Sequence, residues 1–217
     1  MDQKKLDQQS QHWESSFSSK PEMFGLEPSK AAINTLKNFK EKNIKKIIEL
    51  GAGLGRDTIF FAKNSIHVSA LDYSSTAIKI INKKTSEKKL SKFISTKIFD
   101  VRKKIPFEDN SMEACFSHML YCMALSTAQL KYLNSEICRI LKPGGINIYT
   151  VRHTEDGDYK NGTHRGEDLY ENDGFIVHFF SEEKVRKITD GFNVINIEKF
   201  EEGKFPRKLF RVILEKK

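Results

Sequence analysis

The sequence predicts an α/β fold built on a doubly wound, mostly parallel sheet, and three observations carry that expectation. Strand-like and helix-like segments alternate from residue 29 to residue 151, the pattern of parallel strands joined by helical crossovers. An apolar run enters three glycines at alternate positions in IIELGAGLGRD, residues 47 to 57. Asp72 then closes the next strand-like run, about twenty residues after the glycines, the place where such sheets present an acid to a ligand.

Each element has its own local warrant. Residues 29 to 43 open on Ser29 as N-cap and place Ala32, Leu36 and Phe39 at helical spacing, so a helix is expected there. KKIIEL reads as a strand, DTIFFAKN as a helix and IHVSALDY as a second strand. Ser74 or Ser75 caps the helix TAIKIINKKTSEKKL, and KFISTKIFD is a third strand with β-branched alternation. MEACFSHML is a fourth strand and TAQLKYLNSEICRIL a helix, after which KPGG stops and turns the chain into the strand INIYTV. Residues 152 to 180 are polar and glycine-dotted, too long for a plain connection, so an ordered loop or small hairpin over one edge is expected. SEEKVRKITDGF is a helix capped by Ser181, and NVINIEKF and RKLFRVILEK form an antiparallel pair across EEGKFP.

Composition bounds the class. The 217 residues hold 38% hydrophobic residues and 16 Phe, enough for a sizeable core. No apolar run approaches the roughly 20 residues a membrane span needs. The polar N-terminus MDQKKLDQQSQHWESS lacks the apolar centre of a signal peptide, so a cytoplasmic location is expected. Cys115, Cys122 and Cys138 are odd in number and form no CxxC pair, which argues for reduced thiols. The net charge of +8 is concentrated between Lys79 and Lys104, where ten Lys or Arg face only Glu87 and Asp100. Such a stripe is either a solvated helix face or a surface that meets RNA phosphates.

In an open α/β sheet the ligand sits beyond the carboxyl ends of the strands. Gly51, Gly53 and Gly55 remove side chains there, letting backbone approach a ligand and aiming a helix N-terminus at it. The spacing is GxGxG rather than GxGxxG, and a glycine cluster alone would also suit any sharp strand-to-helix turn. Asp72 could accept hydrogen bonds from ribose hydroxyls or cap the helix that follows.

Taken in order, ELGAGLGRD (49 to 57), ALDYS (70 to 74), FD (99 to 100), SMEACFSHMLYCM (111 to 123) and ILKPGG (140 to 145) resemble the successive motifs of class I S-adenosylmethionine-dependent methyltransferases, over about residues 44 to 151. The resemblance implies a Rossmann-like, seven-stranded, mostly parallel sheet with helices on both faces and a reversed last strand, for which residues 208 to 215 fit. It implies S-adenosylmethionine as cofactor. Glu49, Gly51, Gly53 and Gly55 would then lie at its methionine part, Asp72 and Tyr73 at the ribose, and Asp100 and Val101 at the adenine. Ser117 and His118 would lie beside the methyl being transferred. Taken singly, Glu49 could be a strand-end charge and Asp100 a turn residue. The stretch HWESSFSSKPEMFGLEPS carries Trp13, Phe17, Met23 and Phe24 outside the alternation. It resembles the lid of small-molecule methyltransferases of the tellurite-resistance and thiol type, with Phe24 and Gly25 nearest the cofactor. Residues 1–43 would thus be a helical lid packed on a methyltransferase domain at 44–217.

An activated sulfonium asks the protein chiefly to align nucleophile and methyl and to exclude water. A thiolate acceptor needs no base; an oxygen or amine needs a proton acceptor near neutral pH, which is histidine's range. His118, Tyr121, His153 and His178 are the candidate catalytic residues, with His164 nearby, and each could instead be structural. With Asp156, Asp158 and Glu167 these histidines could hold a metal, but no HxH or HxxxH pairing supports a ligand set, and none is expected. The end of the fourth strand reads FSHMLY and lacks the Asn/Asp-Pro-Pro-aromatic signature of nucleic-acid N-methyltransferases. The expected activity is methyl transfer to a small soluble acceptor by a monomer. The alternatives are an RNA methyltransferase, and a cofactor-binding regulatory protein in which the histidines are scattered and packed.

Overall fold

The computed structural model describes residues 3–203 and 206–217. Two residues of the EEGKFP turn, Lys204 and Phe205, lie outside that range. In chain order the elements are α1 (Gln3–Ser19), α2 (Lys30–Glu41), β1 (Lys46–Leu50), α3 (Arg56–Lys63), β2 (His67–Asp72), α4 (Ser75–Glu87), β3 (Ile94–Ile98) and β4 (Met112–Ser117). They continue with α5 (Thr127–Ile140), β5 (Leu141–Arg152), β6 (Thr163–Gly166), β7 (Leu169–Asn172), β8 (Phe175–His178), α6 (Glu182–Arg186), β9 (Phe192–Glu202) and β10 (Arg207–Lys216).

Seven strands form one sheet in the order β3-β2-β1-β4-β5-β10-β9. The pairs among β1 to β5 are parallel, and β10 runs antiparallel between β5 and β9. The reversed last strand is where the sequence puts it. Because side chains alternate along a strand, each strand feeds two cores. Ile47, Val68, Ala114, Phe116, Ile148 and Ile213 pack with α2, α3 and α4. Ile48, Leu71, Cys115, Tyr149 and Val212 pack with α5 and α6 on the opposite face.

Serines start the helices, as their side-chain oxygens satisfy first-turn amides. Ser29, Ser74, Ser126 and Ser181 accept from Ala32, Ala77, Gln129 and Lys184. Ser74, rather than Ser75, is the cap of α4. KPGG does not end in an open turn: it stays within β5 and is absorbed as a register shift against β4 between Met112 and Ala114. The late polar segment holds more structure than a hairpin. It is a second, antiparallel sheet in the order β6-β7-β8, pinned by the His178 amide on Cys122 O at 2.9 Å and by Glu167 Oε2 accepting from Thr127 N at 2.6 Å.

Candidate functional site

A cavity of about 1010 Å³ opens beyond the carboxyl ends of β1, β2 and β4. Its floor is the glycine turn, one side is the β6–β8 sheet, and its roof is α1 with the chain up to Gly25. α1 is tied down at three places. Glu14 accepts from Ser75 Oγ at 3.0 Å, Thr76 Oγ1 at 2.7 Å and Ser74 Oγ at the head of α4. Gln9 pairs with the main chain of Gly174 and Ile176 at 2.9 and 3.1 Å. Asp7 bonds Arg102. Partial burial pushes the Glu14 carboxyl up, but the donated hydrogen bonds outweigh it and hold it down to about 2. Trp13, the chain's one tryptophan, packs against Phe17, Phe24 and Phe175 at 5.4, 6.2 and 4.8 Å between ring centres.

At the glycine end, Asp72 is buried and accepts from Gly53 N at 2.8 Å and Ser74 N at 2.9 Å, one bond to each oxygen. A carboxylate oxygen has a second lone pair, so both stay able to accept from a ligand. Burial raises this carboxyl, and the Ser74 and Gly53 amides oppose that. Glu49 is buried on the cavity wall, with Oε2 taken by the Thr58 hydroxyl. Burial first, then the neighbouring Asp57, hold its carboxyl well above the ordinary range; a cationic group opposite would restore its charge. Gly51 has φ +68, and a Cβ there would stand 3.1 Å from Leu120. Tyr73 and Phe24 also line the cavity, and burial pushes the Tyr73 phenol up.

The other end follows from strand register. His118 lies one residue beyond β4, level with Thr150, because Ser117 pairs with Tyr149. Arg152 is two residues beyond Thr150 and pairs with Leu209; Arg207 is two residues from Leu209 and pairs with Glu202. Paired residues and alternate residues share a face, so His118, Thr150, Arg152, Leu209, Arg207 and Glu202 form one strip, five of them on the cavity wall. Thr150 Oγ1 lies 2.9 Å from His118 Nδ1 and accepts from Met119 N at 2.9 Å. Met119 itself has φ +66, a conformation that costs about 1–3 kcal/mol and clusters at functional sites. Glu202 Oε1 accepts from Arg56 Nη2 at 3.3 Å, and its Oε2 lies 3.7 Å from His118 Nε2. Burial lowers the His118 imidazolium's pKa, which keeps the ring neutral.

Several predicted site residues are not on this wall. Gly55 is the αL entry to α3, with φ +79, and a Cβ there would meet Ile81 Cγ1 at 2.6 Å, so it serves packing. Asp100 is held by Arg102, through its amide at 3.0 Å, Nε at 3.0 Å and Nη2 at 2.7 Å, while Val101 is buried beside it. Ser117 is buried with no hydrogen-bond partner for its hydroxyl. Tyr121 points under α5: its hydroxyl donates to Asn134 Oδ1 at 2.7 Å and its ring stacks on Tyr149 at 3.9 Å. His153 packs on Phe210 at 4.8 Å. His178 donates from Nδ1 to Leu125 O at 2.8 Å, and burial lowers its pKa to about 4. His164 stacks on Tyr170 at 4.9 Å. Of the candidate catalytic residues, only His118 reaches the cavity; Tyr121 is turned to Asn134, His153 to Phe210 and His178 to Leu125 O.

Among the described residues no group of three His, Cys, Asp or Glu is arranged to hold a metal. Asp156 and Asp158 bond Arg152 instead, and Glu167 bonds Thr127. The three cysteines are free; burial pushes the Cys122 thiol up to about 11. None of the ten basic residues between Lys79 and Lys104 lines the cavity. No helix among the described residues is long and apolar enough to cross a membrane. The sequence reading missed Glu14, Gln9, Arg56, Thr150, Arg152, Glu202 and Arg207. Only the serines of SSTA, which need an acceptor, hinted at the first of these.

Comparison with known proteins fits this geometry. Residues 47–145 match the family model of a methyltransferase domain. Phosphoethanolamine N-methyltransferase 1 of Triticum aestivum is 34% identical over 150 residues, covering 67% of this chain and 27% of that protein. The chain thus spans about a quarter of the length of the curated relatives it matches. The 1,6-didemethyltoxoflavin-N1-methyltransferase of Burkholderia thailandensis, solved with bound 1,6-didemethyltoxoflavin and S-adenosylhomocysteine, superposes with TM-score 0.73 at 14% identity, covering 95% of this chain and 86% of that one. A SAM-dependent methyltransferase of Methanosarcina mazei gives 0.72 at 18%, covering 84% and 96%. At those identities the structures speak for the fold. With the ordered motifs, the domain match and the cavity at the switch of the sheet, residues 47–145 form a methyltransferase domain of the class I S-adenosylmethionine-dependent type.

Proposed function

We propose that this chain transfers the methyl group of S-adenosylmethionine to a small soluble acceptor. The observation that carries this is the cavity itself: one end is lined by Asp72, Glu49 and the Gly51–Gly53 turn, the other by a polar strip, and the roof closes over both. Asp72 would take the ribose hydroxyls, Glu49 the cofactor's amino group, and the Gly51–Gly53 backbone would lie against the methionine part. Bound there, the sulfonium supplies an already activated methyl. The chain's own residues orient and exclude water: Phe17, Phe24 and Trp13 cap the cradle, and Arg56 ties the roof to the floor through Phe24 O at 3.0 Å.

The volume suits a cofactor with a small partner, and the basic stripe lies elsewhere, which supports a small acceptor over RNA. The packed histidines leave turnover to rest on alignment and on the His118 strip rather than on a histidine cluster. The wheat relative is named for phosphoethanolamine, an amine bearing a phosphate. Arg207 makes no ion pair among the described residues, so phosphoethanolamine is the first defined compound to assay. The broader test incubates the protein with methyl-labelled S-adenosylmethionine and a cell extract split into small-molecule, RNA and protein fractions. Label in the small-molecule fraction is expected; label confined to RNA or protein, or bound cofactor with no label anywhere, overturns the proposal.

A further inference from the structure

The His118 strip carries a consequence for the acceptor, because its hydrogen-bond donors and acceptors can be counted. Thr150 Oγ1 already accepts from Met119 N, and the acceptor within reach of its own proton is His118 Nδ1, at 2.9 Å. A hydroxyl that donates to Nδ1 leaves the proton of a neutral imidazole on Nε2. His118 is buried and its charged form disfavoured, so the neutral tautomer is the one to consider. Nε2 then faces Glu202 Oε2, a buried carboxylate oxygen with no hydrogen-bond partner among the described residues, at 3.7 Å. That separation is too long for a hydrogen bond. His118 is thus set up as a donor, and the carboxylate beside it lacks one.

Charge and aromatic content point the same way. The chain is +8, yet apart from Glu49 the described cavity wall carries five carboxyl groups, Asp57, Asp72, Asp158, Asp173 and Glu202, against four cationic ones, Lys20, Arg56, Arg152 and Arg207. Arg152 is already shared between Asp156 and Asp158. An anionic oxygen nucleophile would enter against this field, and a thiolate would leave Glu202 without a role. An ammonium group is favoured by both the carboxylates and the aromatic faces of Tyr170, Phe175 and Phe179.

We propose that the acceptor is a small amine, that Glu202 receives its ammonium group and takes its proton, and that His118, its tautomer fixed by Thr150, turns an Nε2 proton toward Glu202 as a charge–dipole contact rather than a hydrogen bond. The proposal rests on the methyltransferase function above. The ammonium gives one proton to the carboxylate, which frees the nitrogen lone pair. That pair forms the new N–C bond as the C–S bond breaks and its electrons return to sulfur, leaving a methylammonium product and a neutral thioether. Arg56 and Arg207 flank Glu202 and Asp57 lies beyond Arg56, so the carboxylate sits in a mixed field rather than alone.

Two measurements decide it. With uniformly 15N-histidine-labelled protein saturated with S-adenosylhomocysteine, NMR at neutral pH should show His118, assigned through His118→Asn, protonated at Nε2. Thr150→Val should remove that preference. A proton on Nδ1 in the unmutated protein overturns the donor assignment. In the labelled-cofactor experiment, the small-molecule product should carry its methyl on nitrogen, and label on sulfur or oxygen sinks the amine. Glu202→Gln should slow transfer at least 100-fold and shift the remaining rate to higher pH, where the amine is already free, with Glu202→Asp recovering part of it. Glu202→Gln acting at the unmutated rate and pH profile overturns Glu202's role. Absence of label in every fraction defeats the methyltransferase function instead, while the tautomer result still stands by itself.

Discussion

Replacing Asp72 tests the cofactor cradle most directly, and the structure changes which replacement is informative. Asp72→Ala would strip acceptors from both Gly53 N and Ser74 N, so it damages the turn as well as the ligand contact. Asp72→Asn keeps one oxygen but turns an NH2 toward one of these amides. A buried donor left without an acceptor costs roughly 1–3 kcal/mol. Burial disfavours the ionised carboxylate, and the neutral amide escapes that term, so the net loss of stability falls at the lower end. At roughly 2–4 °C per kcal/mol for a chain of this size, the melt should drop by about 2–6 °C. Binding suffers more. A hydrogen bond to a charged group is worth roughly 1.5–3 kcal/mol, and one ribose contact is lost, so affinity should fall roughly 10- to 100-fold. Calorimetric titration with S-adenosylhomocysteine, run below the variant's melt, measures it. An affinity within threefold of the unmutated protein would refute the placing of the ribose on Asp72.

Two further outcomes follow from the roof and the glycine turn. Because the Glu14 carboxyl is depressed to about 2 in the fold, its hold on α4 is fully present above the ordinary glutamate range and is lost as pH falls from about 4.5 toward 2. Trp13 fluorescence should therefore change over that window as α1 lifts. Glu14→Gln should show a loosened signal already at neutral pH, and identical acid profiles for the two proteins would remove the staple. Gly55→Ala should lower stability by about 2–4 kcal/mol, from αL strain and a Cβ against Ile81. Its cofactor affinity should stay within a few-fold, and the converse result, intact melting with lost binding, would return Gly55 to the cofactor wall.

The residues that were legible in the sequence are those whose role is set locally. Strand-to-helix alternation, the serine caps and the glycine turn follow from propensities and backbone conformations over a few positions, and the sheet order with its reversed strand followed. Asp72 was legible because its partners, Gly53 and Ser74, are close in sequence. The residues that were missed act over long range: Gln9 reaches Gly174, Glu14 reaches Ser74, and Glu202 reaches both Arg56 and His118. No spacing rule announces such pairs. The histidines misled for a related reason. A histidine in a polar segment is a candidate base only if the segment leaves it free. Here folding residues 152 to 180 into a second sheet spent His178 on Leu125 O and left His164 exposed beside Tyr170, away from the cavity.

The same distinction explains why the two ends of the cavity differ in what can be said of them. The proposed cofactor end is built from the turns that follow β1 and β2, whose geometry brings backbone up to a ligand beyond the strands. The proposed acceptor end is assembled from the tips of β4, β5, β9 and β10, brought level by the parallel β4–β5 register and the antiparallel registers of β10. A one-residue slip of β10 would turn Arg207 and Leu209 to the opposite face and remove them from the strip. With the acceptor on this strip, as proposed, insertions at the β9–β10 turn should alter the acceptor without touching cofactor affinity.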